Sequence, residues 1–244
     1  SAITRNRSVI SNIQNALSFA EVQDGALTSA ATIVNRMAEL KSMSMDVLKS
    51  SSDKANYNVE FQALQTQLHS IASEAFNGVT LFSSESSKTF GTHAVNVTIF
   101  TSDLGANGST VSLGKALLIS AVTFTSGTST TAAAASASGS KSLAVASGGS
   151  KVSVGELGVS FFTKALENIA TLRATNAAGM ARLQLAEDHA RLTMANLEAA
   201  NSRIMDVDVA EESTRFAKYN ILTQASAAML SQANQASSTA LLLL

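Results

Sequence analysis

A seven-residue apolar repeat runs through the last third of this chain: Phe162, Ile169, Asn176, Leu183, Ala190, Leu197 and Ile204. A repeat of that period, sustained over six steps, specifies long helices packed along a seam. A companion row (Ala165, Leu172, Gly179, Ala186, Thr193 and Ala200) is mostly small, which lets a partner helix come close. On the opposite flank Ile10, Ile13, Leu17, Ala20, Leu27, Ala31 and Val34 keep the three-four spacing of one buried helix face. The predicted fold is therefore mainly α: an elongated rod of long antiparallel helices, coiled-coil-like, built by both ends of the chain. Such a build suits assembly rather than catalysis.

The composition agrees. The 244 residues contain no Pro, as uninterrupted helices require, and aromatic residues are only 5%, enough for narrow stripes but not for a large compact core. A formal net charge of −1 gives no electrostatic footprint for nucleic acid or an anionic membrane. With no Cys, disulfides and thiolate metal sites are excluded. No apolar run reaches membrane-spanning length. The opening SAITRNRSVI lacks the apolar core of a cleaved signal peptide and reads as the middle of a helix, so further residues are expected ahead of it.

Four segments follow from the pattern. Residues 1–82 hold a long helix, a break at KSSSDK with a cap at Ser52 or Asp53, and a second helix striped by Phe61, Leu64, Leu68, Ile71 and Ala75. That helix ends at the Asn77-Gly78 turn, and VTLF begins a hairpin. Residues 83–152 form a small variable outer region. In it Val95, Val97 and Ile99 alternate as a strand, ALLISAVTFT is β-prone, and the Ser/Ala/Gly-rich stretch that follows is expected to be a mobile surface segment or a reduced β-domain. Residues 153–205 form the second long helix, opened by a capping box at Ser153–Glu156. Residues 206–244 follow a pause at Asp206–Asp208, where Asp208 and Glu211 suggest another cap, and form a last helix.

Four stretches in these arms resemble bacterial flagellin. SNIQNALSFAEVQDGAL (Ser11–Leu27) and NRMAEL (Asn35–Leu40) are similar to the family's first rod helix. IASEAFNGVTL (Ile71–Leu81) carries its FNG turn. NSRIMDVDVAEES and ILTQASAAMLSQANQ, within Asn201–Leu244, are similar to its C-terminal motifs. The chain departs from the family at NAAGMARL (Asn176–Leu183), where the usual leading Leu is Asn176 and the usual Asn is Ala181.

The resemblance implies a structural subunit that self-assembles into the flagellar filament for motility, is extracellular, and is exported without a cleaved signal. It implies other flagellin subunits, an export chaperone and hook-associated proteins as partners, and it implies no cofactor. The expected assembly residues are Ile221, Leu222, Ala225, Met229, Leu230 and Ala233. Arg36, Leu40 and Glu60 match positions that an innate immune receptor reads in the family; Arg36 can equally pair with Glu39 on its own helix.

The alternative function is a cell-surface adhesin or receptor for an acidic polysaccharide. Lys88, Lys115, Lys141 and Lys151 would be its cations, although the region offers no Trp or Tyr for sugar stacking. For an enzyme the chain lacks the expected signals: no HExxH, no Gly-rich phosphate loop and no nucleophile elbow. Of the histidines, His69, His93 and His189, only His189 has acidic neighbours, Glu187 and Asp188, and consecutive helical residues point apart. Met37, Met43 and Met45 read as core or subunit contacts rather than a promiscuous binding face.

Overall fold

The structure, a computed structural model, describes residues 2–83, 85, 87–91, 95–205 and 209–242. The chain divides into two compact units, Ser1–Leu192 and Thr193–Leu244.

In the first unit α1 (Ala2–Ser44) runs for 43 residues, about 65 Å at the helical rise. It buries Ile10, Ile13, Ala20, Leu27, Val34, Met37 and Leu40 along one face, while Leu17 and Ala31 are half-buried. After a short loop, α2 (Ser51–Ala72) returns alongside it and buries Phe61, Leu68 and Ile71. Leu64 is only half-buried and Ala75 lies outside the helix, exposed. The cap is Ser50, ahead of the expected Ser52 or Asp53. The Ser50 hydroxyl accepts from the Asp53 N–H at 3.1 Å, and the Asp53 carboxylate accepts from the Ser50 N–H at 3.1 Å. A carboxylate at the third helical position is what closes this box, so Asp53 is the returning partner and not the cap.

Next come β1 (Ala75–Phe76) and β2 (Val79–Thr80), joined by Asn77 and Gly78. Both turn residues have positive φ, 50° and 79°, as a two-residue hairpin turn of the Asn-Gly type demands. β3 (Val95–Phe100) pairs antiparallel with β4 (Thr110–Lys115), with Val97 opposite Leu113 and Ile99 opposite Val111. His93, just ahead of that strand in sequence, lies outside the described residues.

Two stretches of the middle region differ from the sequence reading. ALLISAVTFT is not one strand. It makes a helical turn, α3 (Leu118–Ala121), then β5 (Thr123–Phe124), paired with β6 (Lys141–Ser142). Leu118, Ala121, Val122 and Phe124 are all fully buried, and packing overrides β-propensity in so short a segment. The Ser/Ala/Gly-rich stretch is nearer to the reduced β form than to a mobile segment. Its few larger residues anchor it: Leu143, Ala144 and Val152 are buried, and Val145 N–H donates to the Gln65 carbonyl of α2 at 3.3 Å.

The second long helix opens late. Ser153 caps a single 3-10 turn, Val154–Glu156, and Glu156 pairs with Lys141 at 2.7 Å. Leu157 is extended, and α4 (Val159–Met205) starts beyond it. Within the first unit α4 lies antiparallel to α1, as the pairs Gln14–Glu187, Ala20–Asn176 and Asp24–Arg173 show. Its seam is buried at Phe162, Ile169, Asn176, Leu183 and Ala190.

The second unit holds the end of α4 and all of α5 (Val209–Leu242). Here Leu197 is half-buried and Ile204 is 78% exposed. The pause and cap expected at Asp206–Asp208 lie outside the described residues.

Candidate assembly site

The first unit is locked by amides as well as by apolar packing. Asn176, the polar residue in the seam, donates through Nδ2 to the Ala20 carbonyl of α1 at 2.7 Å. Asn168 donates to the Ala121 carbonyl at 2.8 Å, and Gln23 donates to the Leu81 carbonyl at 2.6 Å. Gln65 accepts from Val152 N–H at 3.2 Å. All four side chains are buried; Asn176 ties α4 to α1, and the other three tie α4, α1 and α2 to the connecting region. A polar group inside an apolar seam fixes register, because a slipped helix would bury it unpaired. Apart from Asn176, these staples were missed in the sequence reading. Gln23 was detectable there, because it fills the missing three-four step between Ala20 and Leu27.

The second unit presents the reverse. Phe216, Ile221, Leu222, Met229 and Leu230 are 52–74% exposed, and Ala225 and Ala233 are exposed beside them. The helix is well specified locally. Glu211 and Glu212 occupy its first turn, where the helix dipole favours them, and Arg215 reaches back to Glu211 at 3.2 Å. At about 100° per residue, Leu222, Ala225, Met229 and Ala233 form one stripe, with Ile221 and Leu230 flanking it on either side. The six expected assembly residues therefore span an arc of about 180°, wider than the stripe of about 100° that covers one core-facing side. Asn220, Gln224, Ser231 and Gln235 hold the opposite side.

Of the three receptor-patch residues, two share a surface. Arg36 Nε donates to Glu60 at 2.7 Å and its Nη1 to Glu39 at 3.0 Å, and these contacts raise the Arg36 pKa, Glu60 contributing most. Leu40 is fully buried and offers no surface. Among the lysines of the middle region, Lys141 is paired with Glu156, and Lys115 donates to the Thr80 hydroxyl at 3.2 Å. Glu187 accepts from Arg191 and from Gln14, which hold its carboxyl below the usual range, Arg191 first. Among the described residues no cluster of His, Asp or Glu is arranged to hold a metal ion, and no helix is long and apolar enough to cross a membrane. Met37 is fully buried, Met43 half-buried and Met45 58% exposed.

A register-locked pair of antiparallel arms together with a helix that carries an uncovered apolar half defines a helical assembly protein. Residues 1–87 match the bacterial flagellin N-terminal helical region, and residues 159–244 match the bacterial flagellin C-terminal helical region. The flagellin of Listeria innocua is 32% identical over 225 residues, covering 92% of this chain and 74% of that protein. The flagellar filament 33 kDa core protein of Treponema phagedenis is 30% identical over 236 residues, covering 96% of this chain and 77% of that protein. The crystal structure of Bacillus cereus flagellin superposes with a TM-score of 0.50 at 18% identity, over 74% of this chain and 88% of that one. The chain belongs to the bacterial flagellin family.

Proposed function

We propose that the chain is a structural subunit of the bacterial flagellar filament and that α5 is its assembly element. The observation that carries this reading is the 180° apolar arc of α5, left exposed on a helix with acidic residues in its first turn and ion pairs along it. An arc that wide requires cover from more than one neighbour, which is the situation of a helix surrounded by copies of itself in a polymer. Ile221, Leu222, Ala225, Met229, Leu230 and Ala233 are the contact residues. The partners are other flagellin subunits, and the finished polymer is extracellular. An export chaperone and hook-associated proteins are further partners by family resemblance, as is an innate receptor at the Arg36–Glu60 face. No enzymatic activity is assigned.

Immunogold electron microscopy of producing cells tests the reading, with an antibody raised against residues 126–150. Label along the filaments is expected. The paired substitution Leu222→Asp and Leu230→Asp should remove that label while the secreted chain keeps its helical content. Label confined to the cell body, with bare filaments, would refute the proposal and return the adhesin reading to the front.

A further inference from the structure

Two Asn-Gly pairs occur in the first unit, and the fold treats them in opposite ways. Asn77-Gly78 is the exposed tip of the β1–β2 hairpin. The Gly78 N–H has no hydrogen-bond partner among the described residues, and the space where a Gly78 side chain would stand is open. Asn107-Gly108 closes a 3-10 turn. There the Gly108 N–H donates to the Gly105 carbonyl at 3.0 Å, and a side chain at Gly108 would collide with the Ser102 hydroxyl.

We propose that Asn77 is a modification site: a self-deamidating residue whose reactivity is set by this turn, with Asn107 as its protected counterpart. The chemistry needs only water. The Gly78 backbone nitrogen loses its proton and bonds to the Asn77 side-chain carbonyl carbon, while the C–N bond of the side-chain amide breaks and ammonia leaves. The five-membered imide so formed takes up one water. Opening at one carbonyl gives aspartate; opening at the other gives isoaspartate, with one extra methylene in the backbone. A following glycine makes the attack fastest because no Cβ shields its nitrogen. Attack also requires the turn to open. The hairpin has two residues on each strand, with Ala75, Val79 and Thr80 exposed, so little pairing or burial must be lost for it to open.

The position gives the reaction a consequence. Asn77 lines a mostly apolar cavity of about 210 Å³ together with Phe19, Phe76, Ile99 and Leu113. Either product sets a carboxylate at the edge of that cavity, and the lengthened isoaspartyl backbone no longer fits a two-residue turn.

The test is peptide mass spectrometry of the intact chain aged in mildly alkaline buffer, with isoaspartate detected by enzymatic methylation. Asn77 should convert about tenfold faster than Asn107, a ratio equivalent to about 1.4 kcal/mol and the size expected of one hydrogen bond that must first be broken. In denaturant the two sites should convert at similar rates, and Asn77→Gln should abolish the fast signal. Equal rates in the native chain, or an Asn77 advantage that survives denaturation, would overturn the proposal.

Discussion

The α4 seam and the α5 face are written in nearly the same residue alphabet, yet one is buried and the other is bare. Leu183 is fully buried and Leu230 is 65% exposed. What separates them is the presence of a partner within the chain. The seam of α4 meets α1, which is apolar at the matching spacing and fixed in register by Asn176 and by the Arg173–Asp24 pair. The α5 arc is exposed, and under the proposed function its cover comes from other molecules. A heptad pattern thus specifies that a helix will be covered, and by how wide a face, without specifying whether the cover comes from the same chain.

The sharpest way to break this comparison is to place one charge at three points along the apolar series. Leu183→Asp buries an unpaired carboxylate between α1 and α4 and should cost about 4 kcal/mol or more, enough to unfold a unit of ordinary stability. Leu197→Asp, at a half-buried position, should cost about 1–2 kcal/mol. Leu230→Asp should stay within about 0.5 kcal/mol while removing the chain from filaments. Thermal and denaturant melts give the three costs. Similar costs at Leu183 and Leu230 would mean that the seam and the face are not the two kinds of surface described.

A second test sharpens the role of the amide in the seam. The Asn176 Nδ2 bond to Ala20 leaves Oδ1 buried without a protein partner. Replacing the side chain by Leu, the residue at this point in the family motif, removes the unpaired acceptor and adds apolar volume. Asn176→Leu should therefore shift stability by no more than about 1 kcal/mol. Asn176→Asp should cost about 3 kcal/mol, because it loses the donor and buries a charge. A large loss in the Leu variant, seen as a lowered denaturation midpoint, would show that the amide supplies stability and not only register.

Much of this molecule was legible because long helices advertise themselves by period. The stripe from Ile10 to Val34, the seam from Phe162 to Ala190 and the Asn77-Gly78 turn stand where their spacing or turn chemistry places them, although α2 stops at Ala72 and β1 takes residues expected to continue it. What was not legible depended on distant partners. Nothing local to Ala116–Thr125 shows that a helical turn buries better than a strand at that spot. Nor does anything near Leu143 or Val152 announce that Gln65, far away in sequence, will hold that stretch. For the assembly residues, spacing fixed the face, while exposure became visible only in the fold. Leu40 illustrates the converse: a motif match carries identity but not accessibility.

The smallest expected effect concerns Glu187 of α4, ion-paired within its own helix and hydrogen-bonded across to α1. Glu187 accepts from Arg191 at 2.6 Å and from Gln14 of α1 at 2.9 Å, and its folded pKa is lowered. A carboxyl with a depressed folded pKa is protonated first in the unfolded chain as pH falls. Between the two pKa values the unfolded state therefore binds more protons, and stability rises with pH across that window. The contribution is present above the ordinary glutamate value of about 4.3 and is lost as pH falls through the lower folded value. Because the pair lies toward solvent, the effect should be a few tenths of a kcal/mol and weaken with added salt. Glu187→Gln should flatten the acid limb of the stability profile, below the ordinary glutamate value, while leaving it nearly unchanged at neutral pH apart from that small offset. An unchanged acid limb in the variant, measured by denaturant melts at fixed low salt, would assign the acid sensitivity of the first unit to other carboxylates, with Asp53 in the α2 capping box as the next to test.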